Sequence, residues 1–413
     1  MRKYIFILLA LAALDVSAQS KPTLRLSLSD CLKLAEGHNL SVKSAQASIG
    51  ESKIMESSYL DLPQTDITLV QATTDGGGPD NGLKFSQEFD FPTVYIAKRK
   101  YLQSETELVR KQADVARNDM AMEVSSLYYS LVYQREIGSL LLSQDSIYSE
   151  FCRIAQARLD AGETSRLEVL NARRLYNENR LAIDNNKQDY TSLLLRFRNL
   201  LNVDFPVEPL EQELSLIDAF LPADTLSFMS TPAGIVADSR LEMARRNRHL
   251  AQQGFLPKFN VGATAQLLIS GFNPYNVDRT RFEKGNFMGF EVGVSVPLFF
   301  GAQKAKVKAA NKAIEAEQYR IEEESNRQLT EYRILCDDYA AVVRTLSYYR
   351  ATGLPEAREM ARLSRVSYRY GEIGYEELIR NLESYYAVKK AYADAIENYN
   401  QIVIKLKHIK GEL

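Results

Sequence analysis

Histidine and cysteine are scarce in this chain, three of each among 413 residues. His38, His249 and His408 stand far apart with no ligand spacing, which argues against a histidine-built metal centre. Cys31, Cys152 and Cys336 are as scattered, whereas a disulfide framework needs more cysteines at closer spacing, so buried free thiols are expected. The 51 Lys and Arg nearly balance the 53 Asp and Glu, leaving a net charge of −2 and no electrostatic footprint for nucleic acid. There is no glycine-rich phosphate loop, no nucleophile elbow and no other catalytic constellation. The sequence therefore reads as neither an enzyme nor a cofactor carrier. Beyond the N-terminus no apolar run approaches the roughly 20 residues of a membrane-spanning helix.

What is present begins with a leader. Arg2 and Lys3 precede "IFILLALAA", and small residues follow at Ser17 and Ala18, the pattern of a secretory signal over 1–18. The first cysteine lies well beyond the cut site, so no lipid attachment is expected there. Export without a membrane helix leaves a soluble protein or one inserted by a route such as a β-barrel.

Two hydrophobic periods then alternate along the chain. A helical pattern over about Ser27–Tyr59, capped by Ser27 or Ser29, stops at Leu62-Pro63. "ITLVQATT" and "LKFSQEFDF" alternate with period two, setting Leu83, Phe85, Phe89 and Phe91 with Gln87 on one face and Lys84, Ser86, Glu88 and Asp90 on the other. With "DGGGPDNG" between them they predict a β-hairpin over 65–91. From Val94 to about Leu159 there is no proline, and Met120, Val124, Leu127 and Leu131 mark a coiled-coil seam. At about 1.5 Å per residue such a helix reaches on the order of 100 Å. A break at 160–166 leads into a second helix ending near Leu201, with Tyr190, Leu193, Phe197 and Leu200 on one stripe.

Residues 202–226 carry Pro206, Pro209 and Pro222, lose the period and read as a linker. The order then repeats. A helix over about 231–254 ends at Leu256-Pro257, and a hairpin spans 258–300, with Phe259, Val261, Ala263 and Ala265 facing one way. In its second strand Met288, Phe290, Val292 and Val294 alternate with Gly289, Glu291 and Gly293. A long helix runs from about Ala302 to Tyr370, with a kink or short break expected at Gly353 and Pro355. A second break at 370–374 precedes a helix to about Leu406. Leu62-Pro63 corresponds to Leu256-Pro257, Phe91-Pro92 to Val296-Pro297, and Gly162-Glu163 to Gly371-Glu372. The chain reads as a duplication, with repeats over 19–201 and 227–413.

Four strands leave two open edges, which lipid does not tolerate. Sharing strands among identical chains would close them into a barrel, with the helices projecting to one side. The expected fold is mainly α with a membrane β-barrel.

"LSLSDCLKLAEGHNL", "GETSRLEVLNAR", "VSVPLFFGAQKAKV" and "YRYGEIGYEEL", in that order and duplicated, resemble the TolC-type outer membrane efflux proteins over about residues 23–410. The resemblance implies a homotrimer with a twelve-stranded barrel in outer-membrane lipid and a helical tunnel in the periplasm. It implies a periplasmic adaptor, an inner-membrane pump of the resistance-nodulation-division type, and passive efflux of drugs, metal ions or other toxic solutes. An outlet for type I protein secretion shares that fold, and a secreted coiled-coil scaffold or adhesin is the alternative of a different class.

The same resemblance makes the two breaks the tips of helical hairpins at the periplasmic mouth. Gly162, Glu163 and Thr164, with Gly371, Glu372 and Ile373, become adaptor-docking residues, and both glycines are expected in left-handed backbone. Glu168 and Tyr368 match positions that hold the mouth shut in some members, where an arginine just after the second glycine helps. Ile373 occupies that arginine position here, leaving Arg166 or Arg369 as substitutes. With no tryptophan for a barrel rim, Tyr275, Phe282, Phe287, Phe299 and Phe300 are the candidate aromatics.

Overall fold

The computed structural model describes residues 23–73, 79–218, 225–268 and 287–413. The expected signal segment, Tyr275 and Phe282 lie outside them. In chain order the elements are β1 (Leu24–Leu26), α1 (Leu28–His38), α2 (Leu40–Met55), β2 (Asp66–Thr73), β3 (Pro79–Asp90), α3 (Pro92–Asp160), α4 (Arg166–Leu201), β4 (Val207–Pro209), α5 (Pro232–Gln253), β5 (Lys258–Leu268), β6 (Phe287–Ser295), α6 (Gly301–Tyr348), α7 (Leu354–Arg369) and α8 (Tyr375–Lys410). Short 3-10 turns cover Glu56–Leu60 and Phe228–Ser230. The described residues form two compact units: one joins those up to Ala35 with Leu127–Leu214, the other joins those of 36–126 with those of 215–413.

In the first unit the later part of α3 packs along α4. The buried positions of α4 include Val169, Ala172, Asn179, Ile183, Asn186 and Phe197, which fall on the two seam lines of a heptad. Two of them are polar and one heptad apart. Asn179 Nδ2 donates to the Leu141 carbonyl at 3.2 Å and Asn186 Nδ2 to the Gln134 carbonyl at 3.1 Å, carbonyls that are themselves one heptad apart. A methyl group on Gly138 would lie 2.7 Å from Asn186 Oδ1, so that glycine makes the room the asparagine occupies. On α3, Tyr128 replaces the expected Leu127 at the centre of the seam and is fully buried. Its hydroxyl donates to the Leu26 carbonyl at 3.0 Å and accepts the Leu210 N–H at 3.3 Å.

Those bonds locate a feature the sequence reading missed. Part of the expected linker is β4, which pairs in parallel with β1, Leu24 opposite Val207 and Leu26 opposite Pro209. Three residues are too few to show a period of two, and proline flanks or ends the segment. The first helix also differs from the single one expected. Asn39 interrupts it in extended backbone (φ −59°, ψ 132°), its Oδ1 accepting the Ser41 and Val42 amides at 2.8 and 3.2 Å. A capping asparagine competes with helix for backbone donors, and here it starts a new helix.

In the second unit α5 packs on α6, and α8 packs on both α6 and α7. Thr231 starts α5, its Oγ1 accepting the Gly234 amide at 3.1 Å. Gly234 is obligatory, because a Cβ there would lie 1.9 Å from the Phe228 carbonyl oxygen. The expected break near Gly353 is a π-helical turn, Tyr349–Gly353, with Pro355 in the first turn of α7. The wider turn accommodates a proline ring that would otherwise meet the carbonyl four residues back. Along α8 Leu378, Leu382, Ala395, Tyr399, Ile402 and Leu406 are buried at three- and four-residue spacings, and Tyr385 and Tyr392 on the same stripe are half-buried. Asn400 is also fully buried, and it holds the segment after Leu214. Its Nδ2 donates to the Ser215 carbonyl and its Oδ1 accepts the Ile217 amide, both at 2.9 Å.

The three cysteines are free. Cys31 is fully buried, as expected for all three, but Cys152 and Cys336 are only half-buried. Burial, reinforced by the Asp30 and Glu211 carboxylates, pushes the Cys31 thiol up to about 12. At pH 8 Cys31 is therefore protonated, and mass spectrometry after iodoacetamide treatment should find it unmodified until the protein is denatured. Asn400→Ala orphans the Ser215 carbonyl and the Ile217 amide, at a cost of about 1–3 kcal/mol. A lowered apparent melting temperature by circular dichroism is the expected outcome, with assembly retained.

Candidate functional site

β2, β3, β5 and β6 form one antiparallel sheet in that order, so β2 and β6 each pair on one side only among the described residues. Their lengths are 8, 12, 11 and 9 residues. The pairing of β3 with β5, Phe89 opposite Phe259 and Leu83 opposite Ala265, joins the two hairpins across the long helical insertion. This register aligns side chains of one kind across all four strands. Ile67, Phe85, Ala263 and Phe290 form one row, and Leu69, Leu83, Ala265 and Met288 the next. Val261 with Val292, and Phe259 with Val294, continue the same face.

That face is apolar and uncovered. Met288, Phe290 and Val292 are 70%, 84% and 79% exposed, and Ile67, Leu69, Leu83, Phe85, Val261 and Val294 are exposed as well. A contiguous surface of this kind is untenable in water and is what a strand presents to lipid. The apolar exposure continues past β6 through Val296, Leu298 and Phe299.

The opposite face is polar and small. Lys84 pairs with Glu291 at 2.9 Å, and Lys258 pairs with Glu88 at 2.6 Å and Asp90 at 3.5 Å. Thr68, Ser86, Asn260, Thr264 and Ser295 share this face, and Gly82, Gly262, Gly289 and Gly293 also lie on it. Small residues let a sheet bend towards the face that carries them, since side chains crowd on a concave surface. One side therefore suits hydrocarbon and the other an aqueous lumen.

The two tips are built alike in backbone. Gly162 has φ +74° and Gly371 φ +76°, as expected for both. Each closes its helix with a Schellman pair. At the first tip Glu163 N–H reaches the Arg158 carbonyl at 2.8 Å and Gly162 N–H the Leu159 carbonyl at 3.0 Å; at the second, Glu372 reaches Ser367 at 2.8 Å and Gly371 reaches Tyr368 at 3.0 Å. A Cβ on either glycine would meet nothing within 4 Å, so glycine is there for its backbone alone.

Their side chains differ. At the first tip Ser165 caps α4, its Oγ accepting the Glu168 amide at 3.4 Å. The Glu168 carboxylate accepts from Arg158 Nη1 at 3.1 Å and from the Thr164 hydroxyl. Arg158 Nε also lies 3.9 Å from Glu163. At the second tip the Ser367 hydroxyl donates to Glu372 at 2.7 Å, and Tyr368 packs edge-on against buried Tyr375 with ring centroids 5.1 Å apart. Ile373 is half-buried, while Arg166 and Arg369 are exposed and make no ion pair among the described residues. Arg158 is the tip residue the sequence reading missed. It lies ten positions from Glu168 across a turn, a separation at which no local spacing rule applies.

No helix among the described residues is long and apolar enough to cross a membrane, and no cluster of His, Cys, Asp and Glu among them could hold a metal ion. A family model described as outer membrane efflux protein matches residues 38–203 and again 235–412. No curated protein matches the sequence. Solved structures share the fold at low identity. A membrane protein from Pseudomonas aeruginosa superposes with a TM-score of 0.78 at 15% identity, covering 95% of this chain and 92% of that one. The Campylobacter jejuni CmeC outer membrane channel gives 0.76 at 14%, covering 97% and 90%. The open-state Neisseria gonorrhoeae MtrE outer membrane channel gives 0.74 at 18%, covering 93% and 88%. With both halves matched and the fold shared along nearly its whole length, the chain belongs to the outer membrane efflux protein family, whose members are channels and not enzymes.

Proposed function

We propose that three copies of this chain share their sheets in a twelve-stranded barrel, which conducts small toxic solutes outward from a periplasmic adaptor and an inner-membrane pump of the resistance-nodulation-division type. The observation that carries the barrel is the four-stranded sheet with one exposed apolar face and two half-paired edge strands. An unpaired backbone group in hydrocarbon costs several kcal/mol, so each edge needs a strand from another copy. The polar face with its ion pairs then lines the conduit. Phe299 and Phe300 stand where the sheet gives way to α6, and serve as rim aromatics in place of tryptophan.

The tips are proposed as the periplasmic mouth and the adaptor-docking surface, with Glu168 and Tyr368 as its closing groups. Gly162, Glu163 and Thr164 at one tip, and Gly371, Glu372 and Ile373 at the other, form the turns an adaptor would grip. Conduction is passive: the channel supplies a path, and the pump supplies the energy.

Two experiments test this reading. Phe290→Arg places a charge on the apolar face, costing about 2–4 kcal/mol near the bilayer midplane. Outer-membrane fractions should lose the heat-resistant trimer, whereas Ser86→Arg on the polar face should keep it. Equal loss in both variants would sink the assignment of faces. Gly162→Val forces a β-branched residue into left-handed backbone, a strain of roughly 1–2 kcal/mol confined to the turn. Trimers should still reach the membrane while drug or metal tolerance of the cells falls; retained tolerance would remove the first tip from docking.

A further inference from the structure

We propose that Arg158 is the positioning residue of the first tip, holding Glu168 at the channel mouth. The inference rests on reading the tips as the mouth. It is carried by a set of contacts found at one tip and not at the other.

Arg158 knits the turn twice. Its carbonyl accepts the Glu163 amide at 2.8 Å, the bond of the Schellman pair that spans more residues. Its guanidinium reaches forward to Glu168 at 3.1 Å and lies 3.9 Å from Glu163. The ends it joins carry opposite partial charges. Arg158 sits in the last turn of α3, where a cation is favoured, and Glu168 sits in the first turn of α4, where an anion is favoured. Each charge suits its own helix end, and the pair then closes the hairpin.

The pair is also better shielded than the other ion pairs of the tips. The Glu168 side chain is 20% exposed and Arg158 37%, against 72% and 75% for Arg380 and Glu376 just past the second tip. Both Glu168 oxygens have partners in their own hairpin, Arg158 on one and Thr164 on the other. The carboxylate is therefore fixed in position before anything else approaches it.

The second tip has no such device. Counted from its glycine, the position of Arg158 is Ser367, which holds Glu372, and the position of Glu168 is Glu377, which is exposed. Arg166 and Arg369, the substitutes suggested by sequence, form no ion pair among the described residues. The charge that steadies the mouth comes from the helix before the first turn.

Hydrogen exchange and single-channel conductance of the full-length trimer test this together. Arg158→Gln and Glu168→Gln should each speed exchange of the tip amides 160–168 by about fivefold, and the double variant should add nothing further. Amides 369–375 at the second tip should be unchanged, which separates a local effect from general unfolding. Arg158→Lys keeps the charge but not the fork, and should restore protection only in part. Both glutamine variants should raise conductance in planar bilayers. Additive exchange effects, or a silent Arg158→Gln, would overturn the pairing. If Glu168→Gln raises conductance and Arg158→Gln does not, Arg158 has no role at the mouth. If exchange is coupled but neither variant changes conductance, the clamp stands and the reading of this tip as the mouth falls.

Discussion

The sheet answers first to the backbone amides and carbonyls of β2 and β6 that have no strand partner among the described residues. In water such edges would be solvated. Beside an apolar face as exposed as that of Phe290 and Val292, water is not the solvent the sheet is built for. In hydrocarbon the relief for such an edge is another strand, which is the reason for proposing that the sheet is shared among copies. The need for neighbours is thus written into hydrogen-bonding groups before any side chain is considered.

The helical part solves a different problem. Long helices in mutual contact can slide, turn and fray, and each of these has a specific stop. Schellman turns finish α3, α4, α7 and α8, with Gly162, Asn202, Gly371 and Gly411 in left-handed backbone. Asn400 fixes the segment after Leu214, and Tyr128 fixes β1 and β4. About half of the ion pairs among the described residues, by contrast, are exposed and three or four residues apart on one helix, as in Arg174–Glu178. Such pairs keep the surface soluble and contribute little to stability.

Much of this was legible in sequence wherever the signal was local and repeated. The period of two in "LKFSQEFDF" and "FMGFEVGVS" placed the strands and their apolar face, and the glycines at 162 and 371 placed the tips. Pro355 announced a break, though not that it would be a π-helical turn. What escaped depends on residues far apart in the chain or on very short segments. The β1–β4 pair has three residues a side. Asn39 looks like an ordinary polar position until its side chain is seen taking two amides. The Arg158–Glu168 contact crosses a turn, and neither residue is unusual alone.

The two buried asparagines of α4 have a consequence for how the first hairpin finds its alignment. Asn179 and Asn186 are seven residues apart, and so are the carbonyls they reach, at Leu141 and Gln134. A slide of one helix past the other by less than a heptad leaves both amides facing greasy neighbours, and a slide of a full heptad satisfies only one. The pair therefore works as a vernier with a single position of full coincidence. Gly138 breaks the remaining tie, because the space above it admits Asn186 while the matching position one heptad along carries Asp145. Two amides and one missing methyl group thus set the alignment of a seam whose apolar residues alone would accept several.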